Sequence, residues 1–166
     1  HLQKYPQLIA ERDDLLLEEI TLLNQLGHYE EAMSKLDAHQ FHPWEGGEGK
    51  VPAQYQICRL ELAKQYLNDS SRIDEAIRLL KECLEYPHHL GEGKLNGAQE
   101  NDFHYFLGLA YEKKGDLEKA QYYWQMATKG QLEPAAAMYY NDAKPDKIFY
   151  QGMALRRLGR DDEANG

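Results

Sequence analysis

The stretch Phe106-Leu107-Gly108-Leu109-Ala110-Tyr111-Glu112-Lys113-Lys114-Gly115-Asp116-Leu117-Glu118-Lys119-Ala120 decides the fold. A Leu-Gly-x-x-Tyr run at helical spacing meets a Gly-Asp break, and an amphipathic run restarts at Leu117. That pattern predicts two helices joined by a tight turn. Trp124 and Ala127 continue the second helix at intervals of four and three. The turn recurs along the chain as Gly27-His28-Tyr29-Glu30-Glu31-Ala32, as Ser70-Ser71-Arg72-Ile73-Asp74-Glu75-Ala76 and as Gly159-Arg160-Asp161-Asp162-Glu163-Ala164. Its anchoring alanines, Ala32, Ala76, Ala120 and Ala164, follow one another every 44 residues. The first helices agree: Leu62-Ala63-x-x-Tyr66 and Gln151-Gly152-x-x-Leu155 align with Leu107-Gly108-x-x-Tyr111.

This motif resembles the tetratricopeptide repeat. The resemblance implies an all-α fold, an α-α superhelix of about four helix pairs. The ordinary repeat is about 34 residues long, so each unit here carries about ten more, placed between helix pairs. Gly108, Gly152 and Ala63 let the helices of a pair approach closely. Tyr66 and Tyr111 are expected to fill the space between neighbouring pairs, which stack because a lone pair cannot bury its apolar face.

The expected helices are 6–26, 29–40, 53–68, 73–85, 101–114, 117–129 and 146–158, with a last one from Asp161. The repeats are read as 6–44, 53–88, 98–132 and 145–166, separated by loops at 41–52, 86–97 and 130–145. The whole of 1–166 is read as one solenoid segment of about 3.8 units, its fourth repeat incomplete, cut from a longer chain.

The loops share a string. Gly47-Glu48-Gly49-Lys50-Val51 and Gly91-Glu92-Gly93-Lys94-Leu95 are 44 residues apart, and Pro43 and Pro87 precede them equally. One reading is a shaped turn, with proline ending the helix, glycine reversing the chain and the aliphatic residue tucked inward. The other is a ridge or pocket that binds a ligand through Trp44, Glu45, Glu48, Lys50, His88, His89, Glu92 and Lys94. A phosphate loop is excluded, because Val51 or Leu95 follows the lysine and no strand precedes it. The third inter-repeat segment differs and carries Tyr139, Tyr140, Asn141 and Asp142, aromatic and polar candidates for binding.

Composition narrows the function classes. Nineteen Lys and Arg against 28 Asp and Glu leave a net charge of −9, which argues against nucleic acid as partner. The mean hydropathy of −0.76 and the lack of a long apolar run exclude a membrane-spanning helix. Cys58 and Cys83 are too few for a disulfide framework and fit small buried positions. No leader peptide is visible at the start, so the default compartment is the cytoplasm. His88, His89 and Glu92 form the densest cluster of potential ligands, but adjacent histidines lack the i, i+4 geometry of a helical metal site. No metal and no cofactor are expected. Paired carboxylates read as solvated helix faces, and no nucleophile motif is present.

In tetratricopeptide proteins the first helices line a concave face that commonly binds peptides. The resemblance places Asp102, Tyr105, Leu109, Glu112 and Lys113 on that face, with Asn101 and His104 beside it. In the fourth repeat it places Asp146, Phe149, Met153, Arg156 and Arg157. The second-repeat equivalents are Ile57, Leu60, Lys64, Leu67 and Asn68. The two loop strings, together with Asn101-Asp102-Phe103-His104-Tyr105-Phe106-Leu107-Gly108, also resemble the C-terminal helical-repeat region of large bacterial proteins. Their N-terminal domain is uncharacterised and similar to carbohydrate-active β-sandwiches.

The expected function is therefore a non-catalytic scaffold that docks a protein, a peptide or another domain of its own chain. The alternative is a glycan-binding accessory module of a carbohydrate-active enzyme that uses the repeated loops.

Overall fold

The structure, a computed structural model, describes residues 12–94, 96–130 and 144–165. Its α-helices are α1 (Asp13–Gln25), α2 (Tyr29–Asp37), α3 (Lys50–Tyr66), α4 (Ile73–Glu82), α5 (Asn101–Lys113), α6 (Leu117–Ala127), α7 (Pro145–Arg157) and α8 (Asp161–Ala164). Single 3₁₀ turns occupy Ser70–Arg72 and His88–Leu90, and the described residues include no β-strand. The fold is all-α.

One boundary differs usefully from expectation. Helix α3 begins at Lys50, where the sequence suggests Ala53. Gly49 takes φ 73°, the Lys50 N–H donates to the Gly47 carbonyl, and the Ala53 N–H donates to the Gly49 carbonyl at 3.1 Å. Pro52 falls in the first turn, where its missing N–H costs nothing. Lys50 and Val51 thus belong to the helix and not to the preceding loop, which is shorter than expected.

Three of the four turns close alike. Gly27, Gly115 and Gly159 have φ between 71° and 83°. In each, the next residue's N–H reaches back to the carbonyl five residues before it, at 2.9 Å: His28 to Leu23, Asp116 to Tyr111 and Arg160 to Leu155. A left-handed residue after a helix satisfies two end carbonyls in this way, and glycine takes it without a Cβ penalty. The second position has no glycine. There the Asp69 carboxylate accepts the Ser71 N–H at 2.9 Å and starts a 3₁₀ turn.

The chain divides into two compact units. The first holds the described residues up to Leu62 with Glu85–Lys94, and the second holds Ala63–Leu84 with those from 96 onward. In the first, α1 packs on α2. Leu16, Ile20, Leu36, Phe41, Val51 and Leu90 lie in one buried cluster. Burial of each such side chain is worth about 1.5–3 kcal/mol. Val51 and Leu90 are the contributions of the two loop regions.

In the second unit, α4 packs on α5, α5 on α6 and α7, α6 on α7, and α7 on α8. Helices α5 and α6 approach closely because Gly108 has no side chain. A Cβ there would lie 2.2 Å from the Trp124 Nε1. Ala120 and Ala127, fully buried, face inward with Trp124. The carbonyls at the end of α6 are met from both neighbours. The Asn101 amide donates to Ala127 and Lys129 at 2.7 and 2.8 Å, and the Gln151 amide donates to Thr128 at 2.7 Å.

Helices α5 and α7 run parallel, as three contacts at one constant offset require. The Lys144 N–H donates to the Gln99 side chain at 3.2 Å, Lys147 pairs with Asp102, and Arg157 pairs with Glu112 at 3.1 Å. Every rung joins residue i to residue i+45.

Candidate functional site

The candidate residues of the two loop strings all fall in the first unit, where the loops are joined by their backbones. The Phe41 N–H donates to the His89 carbonyl at 2.8 Å. The Gly49 N–H donates to the Glu92 carboxylate at 2.8 Å. The two near-identical strings are thus in direct contact, and the glutamate of one holds the entry to α3 in the other.

Their glycines do not play equal parts. Gly49 is left-handed in the first copy and Gly91 in the second, although Gly49 aligns with Gly93. A Cβ on Gly91 would lie 2.6 Å from the Phe41 carbonyl oxygen. The aligned Gly47 is buried under the Trp44 ring, which lies 2.3 Å from where a Cβ would be.

Trp44 is half-buried, with part of its ring committed to Gly47. Glu45, Glu48, Lys50, His88 and Lys94 are exposed, and His89 and Glu92 are half-buried. The His89 ring meets Tyr55 edge-on at 6.3 Å. Beside it, buried Arg59 donates to both Asp37 oxygens at 2.6 and 2.8 Å and lies 3.5 Å over the Tyr55 ring. Burial in this cluster pushes the Cys58 thiol up to about 11, with Arg59 pulling the other way. Cys58 and Cys83 are both buried thiols, which makes them inert packing residues.

An open cleft of about 430 Å³ lies between the start of α1 and the first loop, lined by Arg12, Asp13, Asp14, His42, Pro43 and Trp44. Sequence reading named only Trp44 as a site residue here. Asp13 ties the loop down. It accepts from the His42 N–H at 2.7 Å and lies 2.6 Å from the His39 Nε2 and 3.3 Å from the His42 Nδ1. Burial pushes the Asp13 carboxyl up, but the hydrogen bonds from His39 and His42 outweigh it and hold the group below the usual aspartate range. Nothing in the spacing announces these partners, which are 26 and 29 residues from Asp13.

The α5 candidates lie in the second unit, and all four are buried. Asn101 caps α6 as described, and Asp102 pairs with Lys147 and also accepts the Phe103 N–H at 3.0 Å. His104 stacks on Tyr123 with ring centres 6.1 Å apart. Tyr105 packs against Phe106 and Tyr150, each at 5.4 Å. Lys147 was not among the expected site residues, though its place one residue past the repeat offset from Asp102 is a usable signal. Tyr139, Tyr140, Asn141 and Asp142 lie outside the described residues.

What stays open on α5 and α7 is a stripe. Leu109, Glu112 and Met153 are half-buried. Lys113, Asp146, Arg156 and Arg157 are exposed, and Phe149 is 59% exposed. The spacing of 149, 153 and 156 keeps these side chains on one side of α7. Of the second-repeat equivalents, Ile57 and Asn68 are exposed, Leu60 and Lys64 half-buried, and Leu67 buried.

Among the described residues, no three His, Cys, Asp or Glu side chains are grouped to hold a metal ion, and no helix is long and apolar enough to cross a membrane. Compared with known protein families and with solved structures, the chain matches no family model and no structure.

Proposed function

We propose that this chain is a non-catalytic helical-repeat scaffold of tetratricopeptide-like design that docks a protein or peptide, or another domain of its own chain. The observation that carries this reading is the ladder between α5 and α7. Rungs at a constant offset hold two successive first helices parallel and leave their outward stripe as a fixed surface. The 44-residue recurrence in the sequence and the three like turns support the same reading. Ion pairs on the ladder consume the residues that would otherwise compete with a ligand, and Phe149 stays available as an anchor. Large aromatic side chains in such positions commonly dominate peptide affinity.

Amide NMR mapping tests this reading directly. Peptides selected from an unbiased displayed library should perturb amides of α5 and α7 around Leu109, Phe149 and Met153. Perturbations confined to other segments, or turnover of a substrate by this chain, would sink it.

A second reading, a glycan-binding accessory module, is favoured by the cleft at Trp44. One ring, two carboxylates and a guanidinium suit a hydroxylated ligand better than an apolar one. Binding on a glycan array that is abolished by Trp44→Ala would support it, and an array without signal would remove it.

A further inference from the structure

We propose that Asn96 is a site of spontaneous covalent modification. There the folded chain converts its own asparagine into aspartate and isoaspartate, and the isoaspartate is an acceptor for methylation.

The backbone nitrogen that follows an asparagine reaches its side-chain amide most easily when that next residue is glycine, which has no Cβ in the way. Of the six asparagines, only Asn96 and Asn165 precede glycine; the others precede Gln25, Asp69, Asp102 and Asp142. Asn24, Asn68 and Asn101 also have their amides tied to carbonyls, those of Gln54 at 3.2 Å, Lys64 at 3.3 Å and Ala127 at 2.7 Å. The Asn165 Oδ1 accepts from Arg156 at 3.2 Å. Asn96 is placed differently. It and Gly97 are exposed and form a turn ahead of α5, and Gly97 holds φ 85°, as asparagine-glycine turns favour. Among the described residues, no atom beyond its chain neighbours lies within 4 Å of where a Gly97 Cβ would be. A ring formed between the two residues therefore has open space around it.

The step is an internal acyl transfer. The Gly97 nitrogen, its proton taken by hydroxide, attacks the Asn96 Cγ. The N–Cγ bond forms, the Cγ–Nδ2 bond breaks and ammonia leaves. The cyclic imide then takes up one water. Water at Cγ reopens the new bond and gives aspartate. Water at the backbone carbonyl breaks the old peptide bond, and the chain then runs through Cγ as isoaspartate. No electron is transferred; one water is consumed and one ammonia released. Isoaspartate adds a methylene to the backbone three residues before Gln99, whose side chain accepts the Lys144 N–H at 3.2 Å. It also exposes an α-carboxylate, the group that an isoaspartyl methyltransferase esterifies with the methyl of S-adenosylmethionine, leaving S-adenosylhomocysteine.

The test ages the full chain at neutral and at mildly alkaline pH, beside N96Q and a synthetic peptide copying residues 91–101. Circular dichroism confirms that both proteins stay folded. Mildly acidic digests are read by mass spectrometry, with Asn96 and Asn165 on separate peptides. The Asn96 peptide should gain one mass unit at least tenfold faster than the peptides holding Asn24, Asn68 and Asn101, and faster at the higher pH. Aged wild type treated with an isoaspartyl methyltransferase and labelled S-adenosylmethionine should carry label on that peptide, and N96Q should carry none there. A synthetic copy that converts while Asn96 in the folded chain does not would show that the fold protects the turn, and overturns the proposal. A synthetic copy that stays intact, or conversion of Asn96 without methyl uptake, overturns it equally.

Discussion

Gly108 and Gly152 hold equivalent places 44 residues apart, but what surrounds them differs. At Gly108 a methyl group would collide with the rigid Trp124 indole, 2.2 Å away, whereas at Gly152 it would meet the Ala164 carbonyl oxygen at 3.8 Å, an ordinary contact. Alanine is otherwise preferred to glycine inside a helix by about 0.5–1 kcal/mol. Overpacking costs typically about 1–3 kcal/mol, so at Gly108 the collision wins. Urea unfolding should therefore show Gly108→Ala destabilising and Gly152→Ala stabilising by about 0.5 kcal/mol or more. Asp13 makes a second prediction at this scale. Its carboxyl is held below its unfolded-state pKa. The stability it contributes is then complete above the ordinary aspartate value of about 3.9 and is lost as pH falls through the lower folded value. Asp13→Asn should cost about 1.5–3 kcal/mol at pH 7, the range for hydrogen bonds to a charged group. In urea titrations from pH 7 to pH 2, the gap between wild type and variant should close below about pH 4.

At the scale of elements, the two Gly-Glu-Gly-Lys strings show where sequence reading succeeds and where it stops. Helix and turn positions were legible because they rest on local signals: apolar period, glycine after the last turn, aspartate before the first. Every expected helical segment contains a helix. The aliphatic residue of the first string is tucked inward as the shaped-turn reading expects, since Val51 is buried. The start of α3 was not legible, because it depends on which glycine of the string reverses the chain. That choice is made by tertiary neighbours, the Phe41 carbonyl over Gly91 and the Trp44 ring over Gly47. The two glycines of the second string should therefore respond unequally. Gly91→Ala combines φ 75° with a contact of 2.6 Å and should cost about 2 kcal/mol or more. Gly93→Ala meets open space and should stay within about 0.5 kcal/mol of wild type. Thermal melts of the two variants decide it, and equal losses would overturn the expectation.

For the whole molecule, the net charge was easy to read and its distribution was not. Asn101, Asp102, His104 and Tyr105 read from sequence as surface candidates, but the packing of α5 against its neighbours buries them, and only the second partner of each contact explains why.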